Sequence, residues 1–105
     1  MVRATAVAAD LNYELVHRVF ASHGRKPRRG TKLTVIKKSF AELFPGVAKR
    51  RAYPLTLTQF VRLHPKGRFV VMNRRHGWAV VDGVVHDWKL HPRVRVVYFW
   101  EVSNG

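Results

Sequence analysis

Residues 74–88 read RRHGWAVVDGVVHDW. Two apolar runs flank Asp82-Gly83, a dipeptide that tolerates the positive φ values of a two-residue hairpin turn. The turn fixes a register in which Val81 faces Val84, Val80 faces Val85, Ala79 faces His86 and Trp78 faces Asp87. Side chains alternate between the two faces of a strand. His76, Trp78, Val80, Val85 and Asp87 therefore share one face, and Ala79, His86 and Trp88 the other. His76 and Asp87 stand on a diagonal within hydrogen-bonding reach. A carboxylate that fixes the tautomer of a His serves general-base catalysis. The same pairing also occurs as plain structure at the ends of hairpins.

Outward from the hairpin, Phe69–Met72 reads as a strand before it. Val94–Val102, rich in β-branched and aromatic residues, reads as a strand after it that covers an apolar face of the hairpin. Upstream the hydrophobic period changes to that of helices. Thr56-Leu57-Thr58-Gln59 matches a capping box and opens a short helix packed through Phe60, Val61 and Leu63, which His64-Pro65-Lys66-Gly67 ends. Thr34–Phe44 is helical, with Leu33, Ile36, Phe40, Leu43 and Phe44 inward, Lys37 and Lys38 in solvent, and Pro45-Gly46 as its stop. Asn12 caps a helix over Tyr13–His23 whose apolar face is Leu15, Val16, Val19 and Phe20, with Tyr13 also in the core, and Gly24 ends it. The Ala-rich stretch 2–9 is a first helix whose small side chains admit a close neighbour. The expected fold is α+β: N-terminal helices followed by a four-stranded antiparallel sheet.

The 105 residues fit a single domain with one modest core. No apolar run reaches the length of a membrane span, and no secretory signal pattern opens the chain, so a soluble, intracellular protein is expected. There is no Cys. This excludes disulfides, thiolate-ligated zinc and a cysteine nucleophile within these residues. The six His form neither an HExxH pattern nor a tight ligand group, so no metal and no cofactor is expected. Charge is the strongest global signal: twenty Lys and Arg oppose six Asp and Glu, for a formal +14. The cations cluster as GRKPRRGTK at 24–32, KK at 37–38, KRR at 49–51 and RR at 74–75. Such a field draws polyanions, and an acidic protein surface satisfies it equally well.

The segment LTLTQFVRLHPKGRFVVMNRRHGWAVVDGVVHDW, residues 55–88, resembles the C-terminal part of small papain-like, C39-like cysteine peptidase domains of phages and bacteria. The order of a short helix, HPKGR, a strand, and a His opening VVDGVV before an Asp carries the likeness. MVRATAVAADLNYELVHRVFASHGRKPRRGT resembles the nucleophile helix, second helix and glycine-bearing loop of the same family. The resemblance implies a papain-like fold in miniature, with His76 at the base position and Asp87 at the orienting-acid position. It places the nucleophilic Cys at or just before Met1, and Met offers no thiolate. The oxyanion-stabilising Gln of the family falls upstream as well. Either the domain keeps the scaffold and has lost the chemistry, or a start codon lies upstream beside a missing Cys. Ser22, Ser39, Thr31 and Thr34 carry hydroxyls, but none stands at the nucleophile position.

The function expected for the chain as it stands is therefore a non-catalytic, strongly basic interaction module, a pseudoenzyme. Its partner would be nucleic acid or an acidic protein. The residues expected to make the contact are Arg25, Lys26, Arg28, Arg29, Lys32, Lys49, Arg50 and Arg51, all on loops, through phosphate or carboxylate pairing with little sequence readout. His76 and Asp87 are vestigial candidates. The alternative is a cysteine peptidase or amidase whose nucleophile lies upstream of Met1 and which uses His76 and Asp87. By the resemblance, a phage origin would set the protein in the host cytoplasm or the virion.

Overall fold

The computed structural model describes residues 1–26, 31–53, 55–74, 76–86 and 93–102. Its helices are α1 (Val2–Ala9), α2 (Tyr13–Ser22), α3 (Leu33–Leu43) and α4 (Leu57–Leu63). Its strands are β1 (Arg50–Arg51), β2 (Arg68–Met72), β3 (Gly77–Val81), β4 (Val84–His86) and β5 (Tyr98–Glu101). All pairings are antiparallel, in the spatial order β1-β5-β2-β3-β4.

The β3–β4 hairpin has the register its turn imposes, with Val81 opposite Val84, Val80 opposite Val85 and Ala79 opposite His86. Asp82 and Gly83 both take positive φ, 48° and 79°, as a type I′ turn requires. The turn is also tied down at its side. Asp82 Oδ1 accepts the Gly67 N–H at 3.0 Å, and the Asp82 N–H donates to the Gly67 carbonyl at 2.8 Å.

Alternation along the central strands gives the sheet two apolar faces. Val70, Ala79 and Trp100 point to α1, α2 and α3, where they meet Val2, Ala6, Val16, Phe20, Ile36 and Phe40. Phe40 anchors this layer, edge-on to Trp100 at 4.9 Å and to Phe44 at 5.2 Å between ring centroids. Phe69, Val71, Trp78, Val80 and Phe99 point to the opposite face, which Leu57 and Phe60 of α4 cover. Ala8 and Ala9 are fully buried. Their small side chains let α1 lie directly on β2 and β3. Its C-terminus closes with Asp10 at φ 54°, the Leu11 N–H reaching the Ala6 carbonyl at 3.0 Å, a Schellman closure. Arg68 adds a tie to the sheet, donating through Nη1 to the carbonyls of Val7 and Ala8 at 3.4 and 3.3 Å. The two predicted caps both form. Asn12 Oδ1 accepts the N–H of Glu14 and of Leu15, and Thr56 and Gln59 make the reciprocal capping box.

The expected order of helices followed by a four-stranded sheet is incorrect, and with it the miniature papain-like layout. Among the described residues the sheet has five strands, and α4 is inserted between β1 and β2. The source of the error is KRR at 49–51, read as a solvated connection. Arg50 and Arg51 pair with Phe99 and Tyr98 as an edge strand. An edge tolerates charged side chains on an exposed strand, and two residues are too few to show a period. The last strand is also shorter than residues 94–102. Residues 94–96 turn away to pair with the entry to α4: the Leu57 N–H donates to the Val94 carbonyl, and the Val96 N–H to the Leu55 carbonyl. β5 then inserts between β1 and β2 and covers neither face of the hairpin. Tyr13, Leu15 and Leu63, expected in the core, are 49%, 43% and 63% exposed. In α2 burial is confined to Val16, Val19 and Phe20, and in α4 to Leu57 and Phe60. Among the described residues, no helix is long and apolar enough to cross a membrane.

Ser39 is fully buried in α3, and its hydroxyl has no hydrogen-bond partner among the described residues. A buried donor without a partner costs about 1–3 kcal/mol. Ser39→Ala removes that cost and fills nearly the same volume, so it should raise stability by roughly 1 kcal/mol in urea denaturation. A loss of stability would mean that the hydroxyl is satisfied within the core.

Candidate nucleic-acid interface

One end of the sheet brings together Lys49, Arg51, Arg74 and Arg95. The last paired residue of β1, Arg51, lies opposite Tyr98, which in turn lies opposite Met72, the last residue of β2. The chain crosses this end in three places. The Ala52 N–H donates to the Val97 carbonyl and the Val97 N–H to the Met72 carbonyl, both at 2.9 Å. Beyond that ladder the three segments diverge and leave an open groove of about 600 Å³ lined by Arg51, Tyr53, Asn73, Arg74, Arg95, Val97 and Tyr98.

Each wall has a local cause. Residues directly opposite on neighbouring strands share a face, so Arg51 is carried to the Tyr98 side and Arg50 to the Phe99 side. Lys49 also lies toward Tyr98, its Nζ 4.1 Å from the ring centroid, a cation–π contact. Asn73 and Arg74 begin the turn into β3. Asn73 Oδ1 accepts the His76 N–H at 2.8 Å, and the Asn73 N–H donates to the His76 carbonyl at 3.0 Å, which shapes that turn. Arg95 is held by an isolated antiparallel bridge to Thr56. In RVRVV at 93–97, Val96 is buried while Arg93 and Arg95 are exposed, the period of a strand with one wet face.

The electrostatics of the groove are one-sided. Arg51, Arg74 and Arg95 are all exposed, and Tyr53 is 56% exposed. No described carboxylate lines the groove. The nearest acid along β5, Glu101, lies at the strand's other end, opposite Phe69. Glu42 is engaged elsewhere, its Oε1 3.1 Å from His23 Nε2.

The residues singled out from the sequence fall in different places. Arg51 lines the groove and Lys49 adjoins it through Tyr98, whereas Arg50 faces away. Lys26 and Lys32 are exposed and do not line it. Arg25 donates through Nε to Thr31 Oγ1 at 3.1 Å. Burial, and next the Arg25 guanidinium, hold the Met1 amine below its ordinary pKa. Arg28, Arg29 and Asp87 lie outside the described residues. His76 is exposed, and its ring lies edge-on to Trp78 at 5.1 Å between centroids. Trp78 belongs to the face covered by α4. The Met1 side chain, in contrast, packs with the α1 layer and covers Gly77, where a Cβ would meet Met1 Cε and Sδ. The residue at the inferred nucleophile position and the His ring thus engage opposite faces of the sheet. No group of three or more His, Cys, Asp or Glu suited to a metal occurs among the described residues.

Tyr53 and Arg95 were not singled out in the sequence, and Arg74 only as part of the basic pair at 74–75, outside the residues expected to make the contact. The alternation of Arg93 and Arg95 with Val94 and Val96 was the available signal for Arg95. Comparison with known proteins finds no matching family model, no matching curated protein and no matching solved structure.

Proposed function

We propose that this chain is a non-catalytic module that binds nucleic acid through its basic surface, with the groove at the β1–β5 end of the sheet as the principal contact. The observation that carries this reading is the convergence of Arg51, Arg74 and Arg95 on one groove without a described carboxylate among its lining residues. Arginine is well matched to phosphate, because its planar fork presents several donors in a fixed geometry. The formal +14 of the chain supplies the long-range attraction. An acidic protein would meet the same charge, but an exposed tyrosine among the arginines favours a partner that brings flat rings as well as anions. The intracellular setting we propose, in a host cytoplasm or a virion, rests on the sequence resemblance alone.

The test is a titration with single-stranded and double-stranded oligonucleotides at 50 and 200 mM salt. Binding should be measurable at the lower salt and fall steeply at the higher, because neutralised phosphates release counterions. Charge reversal at Arg25, Lys26 and Lys32 should weaken it modestly by reducing the general field. No binding to either polymer at 50 mM would overturn the proposal. The non-catalytic half is overturned separately if residues 1–105 hydrolyse a peptide or amide substrate and His76→Ala abolishes that activity.

A further inference from the structure

We infer that the groove takes a single-stranded segment, with a base stacked on Tyr53 and the flanking phosphates held by Arg51, Arg74 and Arg95. This deepens the nucleic-acid reading of the same site and rests on it. Phosphate contacts alone would not discriminate between a duplex and a single strand. Tyr53 does. More than half of its surface is in solvent although it lines the groove, so the ring has a face to offer. In a duplex the faces of the bases are already covered by their neighbours, and exposing one costs unstacking. In a single strand the faces are accessible, and aromatic stacking beside a cationic track is the common mode of sequence-tolerant binding.

The second ring in the lining has a different part. Tyr98 is half-buried and already faces the Lys49 ammonium. Its neighbours Met72 and Arg51 fix it in the ladder. It carries Lys49 on its ring beside the groove, while Tyr53 is the more exposed of the two rings. The volume, about 600 Å³, falls within the range of roughly 300–1,000 Å³ over which pockets enclose ligand-sized groups. It suits one or a few nucleotides, with the rest of the strand running over the basic surface. The lining is tolerant of sequence: arginines read phosphate, and the tyrosine reads a flat face that every base has.

The experiment uses fluorescence anisotropy with three labelled 12-mers of matched length: oligo-dT, the same backbone with abasic sites throughout, and a duplex. Wild-type protein should bind oligo-dT more tightly than either of the others at the same salt. Tyr53→Ala should lose roughly 10-fold on oligo-dT and nothing on the duplex or the abasic strand. Tyr53→Phe, which keeps the ring, should bind oligo-dT as wild type does. A thermal melt of each variant checks folding, which Tyr53 at the surface should leave intact. Equal affinity for all three polymers, with Tyr53→Ala silent on each, would overturn the stacking inference and leave nucleic-acid binding standing. Equal losses on all three from Tyr53→Ala would also overturn it, because the ring would then be supporting the arginines and not a base. No binding of any polymer by the wild type would overturn both.

Discussion

Replacing Phe60 by alanine should cost about 3–5 kcal/mol, a large share of the roughly 5–15 kcal/mol that holds a domain of this size together. Phe60 is fully buried, and its ring sits 5.4 Å from Phe69, 5.1 Å from Phe99 and 4.6 Å from His64 between centroids. A seven-residue helix has little stability of its own, so α4 stays on the sheet through this ring and Leu57. At about 4–8 °C per kcal/mol, the melting temperature should fall by roughly 15 °C or more. Phe60→Leu, which keeps most of the apolar volume, should lose about half as much or less. A fall of only a few degrees for Phe60→Ala would show that α4 does not depend on this contact. The same substitution should weaken nucleic-acid binding although Phe60 does not line the groove. The entry to α4 holds residues 94–96 through the Leu57–Val94 and Leu55–Val96 hydrogen bonds and the Thr56–Arg95 bridge. When α4 loosens, Arg95 loses its support.

The second large effect is electrostatic. Reversing Arg51, Arg74 and Arg95 together to glutamate lowers the formal charge by two at each position, from +14 to +8. Affinity for a single strand at 50 mM salt should fall on the order of 100-fold, about 2.7 kcal/mol. The slope of log affinity against log salt should become shallower by about 2, as three lost phosphate contacts at roughly 0.7 each require. Lys37→Glu with Lys38→Glu is the control. Those lysines are exposed on α3 and outside the groove, so reversing them changes the general field but no groove contact. If the control falls as far as the arginine triple, the whole surface binds and the groove has no special part.

The hairpin was legible because an Asp-Gly turn and a strict alternation point to the same register, and the structure reproduces it. The helices were legible from their caps: Asn12, and Thr56 with Gln59, form the bonds their spacing predicts. What escaped was whatever depends on distant pairing. Arg50-Arg51 has no local signal for a strand, since its partner Tyr98-Phe99 is almost half the chain away. The groove was hidden for the same reason. Arg51 and Tyr53, Asn73 and Arg74, and Arg95 through Tyr98 come from three separate stretches that only the sheet order brings together. Basic clusters at 24–32 stood out by density, yet density on a loop says nothing about which cations share a wall. The His76–Trp78 contact follows from alternation, and it is this alternation that turns the ring away from the face on which Met1 packs.

β5 is the last described strand along the chain and the second in the sheet. During synthesis β1 therefore emerges long before the segment that must pair with it. Until residues 98–101 arrive, β1 has no neighbour in the sheet and Arg51 has no Tyr98 beside it. Closing so long a loop is entropically costly and slow compared with forming the local β3–β4 hairpin. The nucleation sites are local, and the groove is assembled by the final long-range closure. A nascent chain still on the ribosome, surrounded by RNA, would carry its positive charge without the groove. Capacity for groove binding would thus be acquired only once residues 98–101 have emerged and paired, and a ligand that occupies the groove would favour the closed sheet by mass action.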